Sequence, residues 1–279
     1  MIRASVLTFL LAAIGVLLTL PAASGLFPDP DAYRRMVLWG VPVVALLLSL
    51  LFFPRLARPR GETPVGPPRR RLLLVAGCVA ALLADQSFLG IGYLTDWATF
   101  TFNGASNAQE QAGNQLLRTA LWALPACLLL GIWGWERALR GAVYTGWRRR
   151  LRTPASLALS VLTGLCLTLP VLLPGGEVRD VPFVATAVLA VLCHELSFAL
   201  VFLRGGGLLV AGLYRGLLWF LEAFVVNDWY SLHFPSYNYV AGDPLFYAVR
   251  AAAALLGLAV IVGVAGTGGD REPAEEKSE

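Results

Sequence analysis

Charge is what this sequence has least of. Only 14% of its 279 residues are charged, against about 25% in a typical soluble domain. With 57% hydrophobic residues and a mean hydropathy of +0.66, that shortage excludes an ordinary water-soluble domain. Histidine is nearly absent: there are two, His194 and His233. His194-Glu195 opens like a zinc-protease helix, but Phe198 stands where the second histidine ligand should fall. Zinc or haem held by two histidines would need His194 and His233 brought together across a membrane. No metal and no cofactor is therefore expected. The four cysteines, Cys78, Cys127, Cys166 and Cys193, all fall in apolar runs and none forms a CxxC pair. They read as small packing residues.

What is present is a series of apolar runs near 20 residues, the length a ~30 Å hydrocarbon layer requires of a helix. Eight spans are predicted, near residues 4–23, 37–53, 72–94, 119–135, 155–173, 181–203, 208–226 and 245–266. The fold class is all-α, a polytopic transmembrane helix bundle over residues 1–266. A polar tail, 267–279, is expected to be disordered. Ala22-Ala23-Ser24-Gly25 after the first span resembles a signal cleavage site. That span exceeds the ~7–15 apolar residues of a secretory signal, so it is expected to be retained. No internal repeat is evident.

Basic residues set the expected orientation. Arg55, Arg58, Arg60, Arg69, Arg70 and Arg71 fall in the loop 54–71. Arg137, Arg140, Arg148, Arg149, Arg150 and Arg152 fall in a second loop, 136–154. With Arg3, Arg204, Arg271 and Lys277, one side holds sixteen of the 22 basic residues; the other holds Arg34, Arg35, Arg118 and Arg179. Basic loops stay cytoplasmic, which places both termini in the cytoplasm and suggests a bacterial-type plasma (inner) membrane. The net charge of +4 then belongs to loops at the headgroup layer. Nucleic acid is not an expected partner, because no basic face carries base-reading residues. The lipid bilayer is, and other membrane subunits are possible partners.

Five ionisable residues remain inside predicted spans besides His194: Asp85, Glu195, Arg215, Glu222 and Arg250. Each costs about 2.5–3.5 kcal/mol at a helix centre unless it is paired. The sequence suggests the pairs. Spans six and seven are joined by Arg204-Gly205-Gly206-Gly207, a turn short enough to force a hairpin. Glu195 and Arg215 are equidistant from that turn and should meet. Glu222 and Arg250 are equidistant from the centre of the outer loop 227–244, with Asp85 near the same depth. Gly212 and Gly216 make a small-xxx-small step that permits close helix approach. The loop 227–244 mixes six aromatic and histidine side chains with Asp228 and His233 among them. It reads as an interfacial aromatic belt, or as a lid over the Glu222–Arg250 layer.

Two kinds of function fit these residues. One is a non-catalytic, assembly-type membrane protein whose paired charges fix helix order. The other is functional: an intramembrane enzyme on a lipid or peptide with Glu195, His194 or Glu222 as acid or base, or a proton-coupled small-solute carrier using Asp85, His194 and Glu222. Asp85, Arg215, Arg250, Asp228 and His233 are the binding candidates. His194-Glu195-Leu196-Ser197-Phe198 resembles the start of the Glu-Glu-x-x-x-Arg motif of the CAAX-processing and Abi family of intramembrane proteases. Those are polytopic enzymes in which paired glutamates with histidines activate water for peptide cleavage. The likeness covers five residues. His194 stands at the first glutamate and Ala199 at the arginine, so it carries over Glu195 alone.

Overall fold

A computed structural model of the chain describes residues 2–24, 30–55, 67–94, 99–102, 121–172, 181–221, 230–233 and 244–266. Along these run α1 (Ile2–Ser24), α2 (Pro30–Phe52), α3 (Pro67–Leu94), strand β1 (Thr99–Phe102) and α4 (residues 121–148). Then follow α5 (Thr153–Leu172), α6 (Val181–Val201), α7 (Gly207–Phe220), strand β2 (Tyr230–His233) and α8 (Pro244–Gly266). Four stretches are long and apolar enough to cross a membrane: Ile2–Thr19, Thr153–Pro170, Val184–Phe220 and Ala248–Gly266; Met36–Phe52 is a shorter apolar helix.

The stretch Val184–Phe220 is two arms rather than one rod. A single helix of that length would be about 55 Å long. Instead a π-wound turn, Phe202–Gly206, is broken at Gly205, whose φ of 102° only glycine adopts without strain. The chain doubles back there and lays α7 beside α6.

One helix organises the rest. Residues 121–129 of α4 are α-helical, Leu130–Tyr144 are wound as a π-helix, and Thr145–Arg148 close it as α-helix. Every residue from Gly134 to Tyr144 is buried. A helix covered on all sides lies at the centre of its bundle. One apolar core lies between α4 and α1, α2 and α5, around Leu7, Leu11, Val41, Leu139 and Leu167. A second lies on its far side among α3, α6, α7 and α8, around Ala80, Phe198, Tyr214 and Ile261. The outward faces are apolar too: Phe9 is 71% exposed, Leu51 73% and Leu209 59%. In water such surfaces would drive association; facing lipid they are satisfied.

Glycine sets the tightest packing. A Cβ on Gly216 would lie 2.6 Å from the Cys127 carbonyl oxygen, and one on Gly212 2.5 Å from Ile132 Cα. The Gly212/Gly216 step is thus where α7 meets the backbone of α4. Two expectations need correcting. The fourth span was expected to end at 135 and be followed by a loop over 136–154, but helix continues to 148. The outer loops 95–118 and 227–244, to which no strand was assigned, contribute β1 and β2, which pair antiparallel with Thr99 opposite His233 and Phe102 opposite Tyr230. Pairing between loops 130 residues apart leaves no local periodicity to read.

Candidate functional site

The extension of α4 carries Glu136 and Arg140 into the bundle. There they meet Glu195 from α6 and Arg215 from α7. Side-chain exposures are 0% for Glu136 and Arg140, 1% for Glu195 and 6% for Arg215. Arg140 Nη2 donates to Glu195 Oε2 at 2.8 Å and to the Glu195 backbone carbonyl at 2.7 Å. Its Nη1 reaches Glu136 Oε1 at 3.4 Å. Arg215 spans both acids, with Nε donating to Glu136 Oε1 at 2.8 Å and Nη2 to Glu195 Oε1 at 2.6 Å. Two carboxylates and two guanidiniums cancel, so no net charge is left in low dielectric.

The shell around the cluster is apolar and close. The Arg215 guanidinium lies 4.2 Å over the Phe198 ring and 5.2 Å from that of Trp135. Planar guanidinium suits such a shell, because it can bond at its edge while its face packs on an aromatic ring. On α5, a Cβ at Gly164 would fall 2.4 Å from Glu195 Oε2, so that glycine lets α5 seal the carboxylate. Ser160 on the same helix donates to the Leu139 carbonyl at 2.9 Å. By the helix rise, Arg140 lies about 12 Å in from the end of α4, and Glu195 and Arg215 about 15 Å in from the Gly205 turn. The four charges therefore form one layer. Glu136 Oε2 and Arg140 Nε are buried with no hydrogen-bond partner among the described residues.

Nearby, Arg137 turns away from this layer. Its Nη2 donates to the carbonyls of Phe53 and Pro54 at 3.1 and 3.3 Å, and its guanidinium lies 5.9 Å from the Trp133 ring. It thereby caps the orphan carbonyls at the end of α2.

Glu195 and Arg215 meet as their equal distance from the turn requires. Their partners Glu136 and Arg140 were assigned to the cytoplasmic loop, so the charged core is not confined to the last three helices as expected: α4 supplies half of it. The available signal was the spacing. Glu136 and Arg140 are i,i+4, a pairing distance on a helix, and Ala138, Leu139, Ala142 and Val143 continue the apolar run around them. His194 is half-buried on α6, with its ring stacked on Phe198 at 6.4 Å between centroids, and it lies within electrostatic reach of Arg215 and Arg250. Arg250 is buried on α8. Glu222 and Asp228 lie outside the described residues, so the expected Glu222–Arg250 layer does too. Asp85 falls within α3 and His233 within β2, but their side chains are outside the description. Among the described residues, no three His, Cys, Asp or Glu side chains converge as a metal site.

No protein-family model, curated protein or solved structure matches this chain. Its fold and site together define a helical membrane protein with a buried salt-bridge network linking its helices.

Proposed function

We propose that this chain is a non-catalytic, assembly-type protein of a bacterial plasma membrane, in which the Glu136–Arg140–Glu195–Arg215 layer fixes the order and register of α4, α6 and α7. One observation carries the reading: the layer is charge-balanced and closed, with each guanidinium shared between both carboxylates. A site that works on a ligand needs a charge left available to it, whereas here each charge faces its opposite and only Glu136 Oε2 and Arg140 Nε lack a hydrogen-bond partner among the described residues. The basic ends of the helices support a cytoplasmic location for that side. Replacing all four by apolar residues (Glu136→Leu, Arg140→Met, Glu195→Leu, Arg215→Met) tests the proposal, since well-packed apolar replacements of buried pairs are often neutral or stabilising. The variant should be folded in detergent and should restore any phenotype caused by deleting the gene. A folded variant that restores nothing would overturn the structural role.

A second reading, an intramembrane enzyme on a lipid or peptide, is favoured by a specific feature. Glu136 Oε2 is the one carboxylate oxygen of the layer without a partner among the described residues. Glu136-x-x-x-Arg140 also has the glutamate-to-arginine spacing of the motif compared above, which Ala199 denies to Glu195; Trp135 stands at the first glutamate. Glu136→Gln separates the two. A variant that is still folded but without function would favour the enzyme, whereas one that functions wherever it is folded would favour the structural element.

A further inference from the structure

The arginines at one end of the bundle were separate loop charges in the sequence, and the fold gathers them. A Cβ on Gly146, near the end of α4, would touch Ala4 of α1 at 2.8 Å and the Phe53 ring at the end of α2 at 3.2 Å. Three chain segments therefore converge on one patch. Arg3 follows the start of α1, Arg55 the end of α2, and Arg148, Arg149, Arg150 and Arg152 the end of α4; all six are exposed. Arg148 Nη1 makes one weak contact, to the Leu151 carbonyl at 3.3 Å. The patch is built rather than accidental. Arg137 clamps the carbonyls of Phe53 and Pro54, which fixes the backbone leading into Arg55. Among the described residues the acidic side chains are Glu136 and Glu195, and both are locked in the internal layer. Trp147 lies beside the patch, half-buried, its indole N–H donating to Thr8 Oγ1 at 2.9 Å. Such a ring, apolar in body and bonded at its tip, marks the level of a membrane interface.

We infer that Arg3, Arg55, Arg148, Arg149, Arg150 and Arg152 form a binding surface for anionic phospholipid headgroups, and that a bound headgroup ties the ends of α1, α2 and α4 together. The chemistry fits. Guanidinium forks match phosphate oxygens with paired hydrogen bonds. Several arginines at the surface of an anionic leaflet add their attractions. Because the patch spans three segments that separate on unfolding, an anionic lipid should bind the folded chain better than the unfolded one and stabilise it.

The experiment uses the full chain in nanodiscs of phosphatidylcholine alone and of phosphatidylcholine with phosphatidylglycerol. The unfolding temperature should be higher with the anionic lipid, and the gain should shrink as salt rises. In Arg148→Gln/Arg149→Gln/Arg150→Gln/Arg152→Gln the gain should disappear while the unfolding temperature in phosphatidylcholine alone stays unchanged. The corresponding lysine variant should keep part of it. Arg34→Gln/Arg35→Gln, at the opposite end of α2, should keep all of it. An equal gain in the four-glutamine variant would overturn the inference. So would an equal gain from inorganic phosphate in phosphatidylcholine, which would make the patch a general anion site. A gain that appears only after deleting residues 267–279 would show the chain's own acidic tail to be the occupant, and would overturn it also.

Discussion

Arg140 is fully buried in the charged layer, and its shape matters as much as its charge. It donates to a carbonyl and a carboxylate oxygen of Glu195 and approaches Glu136 as well. Lysine would keep the charge but offer a single point donor in place of a planar fork. Arg140→Lys should therefore cost about 1.5–3 kcal/mol, the range for one hydrogen bond to a charged group. Chemical unfolding in detergent would measure it, and an unchanged midpoint would show that the fork is not needed. Gly164 makes the same point from the other side of the layer. An added methyl there meets the Glu195 carboxylate, which two arginines hold in place. Gly164→Ala should cost about 1–3 kcal/mol, as overpacking a tight core does. The loss should fall in Gly164→Ala/Glu195→Ala, where the obstructing side chain is gone, and an undiminished loss there would place the strain elsewhere.

Among the elements, α4 and α7 depend on each other through backbone contact at Gly212, Gly216 and Gly131. The atoms facing Gly216 are the Cys127 carbonyl and Leu128 Cα, which cannot rotate aside. Gly216→Ala should separate the two helices and weaken the Arg215–Glu136 bond between them. A drop in stability of at least about 1–3 kcal/mol is expected, and an unaltered unfolding midpoint would contradict the close crossing. This level also shows what sequence could and could not supply. Gly205-Gly206-Gly207 marks a tight turn, and a tight turn makes residues at equal distance neighbours, so Glu195 and Arg215 could be matched before any fold was known. Gly212 and Gly216 were legible for the same reason, a short spacing with one physical meaning. Glu136 and Arg140 were hidden by a rule that is right on average. Charges following a 17-residue apolar run normally mark a loop, and here they continue a helix because acids and bases on three helices neutralise one another. The β1–β2 ladder was hidden by distance along the chain.

At the scale of the whole molecule, sidedness and cohesion are the two properties to test. The proposal puts the exposed arginines at the ends of α2 and α4 on the cytoplasmic side, as the positive-inside bias favours. Single cysteines at positions 70 and 149, in a background without the native cysteines, should resist an impermeant thiol reagent in intact cells. Those at 104 and 229 should react. Labelling of 70 or 149 from outside would reverse the orientation.

The proposed function makes cohesion rest on the charged layer, and its most direct test is a double-mutant cycle on Glu195 and Arg215, which are 2.6 Å apart on the two arms of the α6–α7 hairpin. Glu195→Gln and Arg215→Gln each strand a buried charge, and each should cost about 3–5 kcal/mol. Equilibrium unfolding of the wild type, both single variants and the double variant gives the coupling between them. If the layer holds the helices together, the double variant should be more stable than the summed losses allow, by at least about 1 kcal/mol, the interaction energy usual for contacting residues. Losses that simply add would mean that the two residues do not share a bond, and would contradict the buried layer as the element that joins α4, α6 and α7.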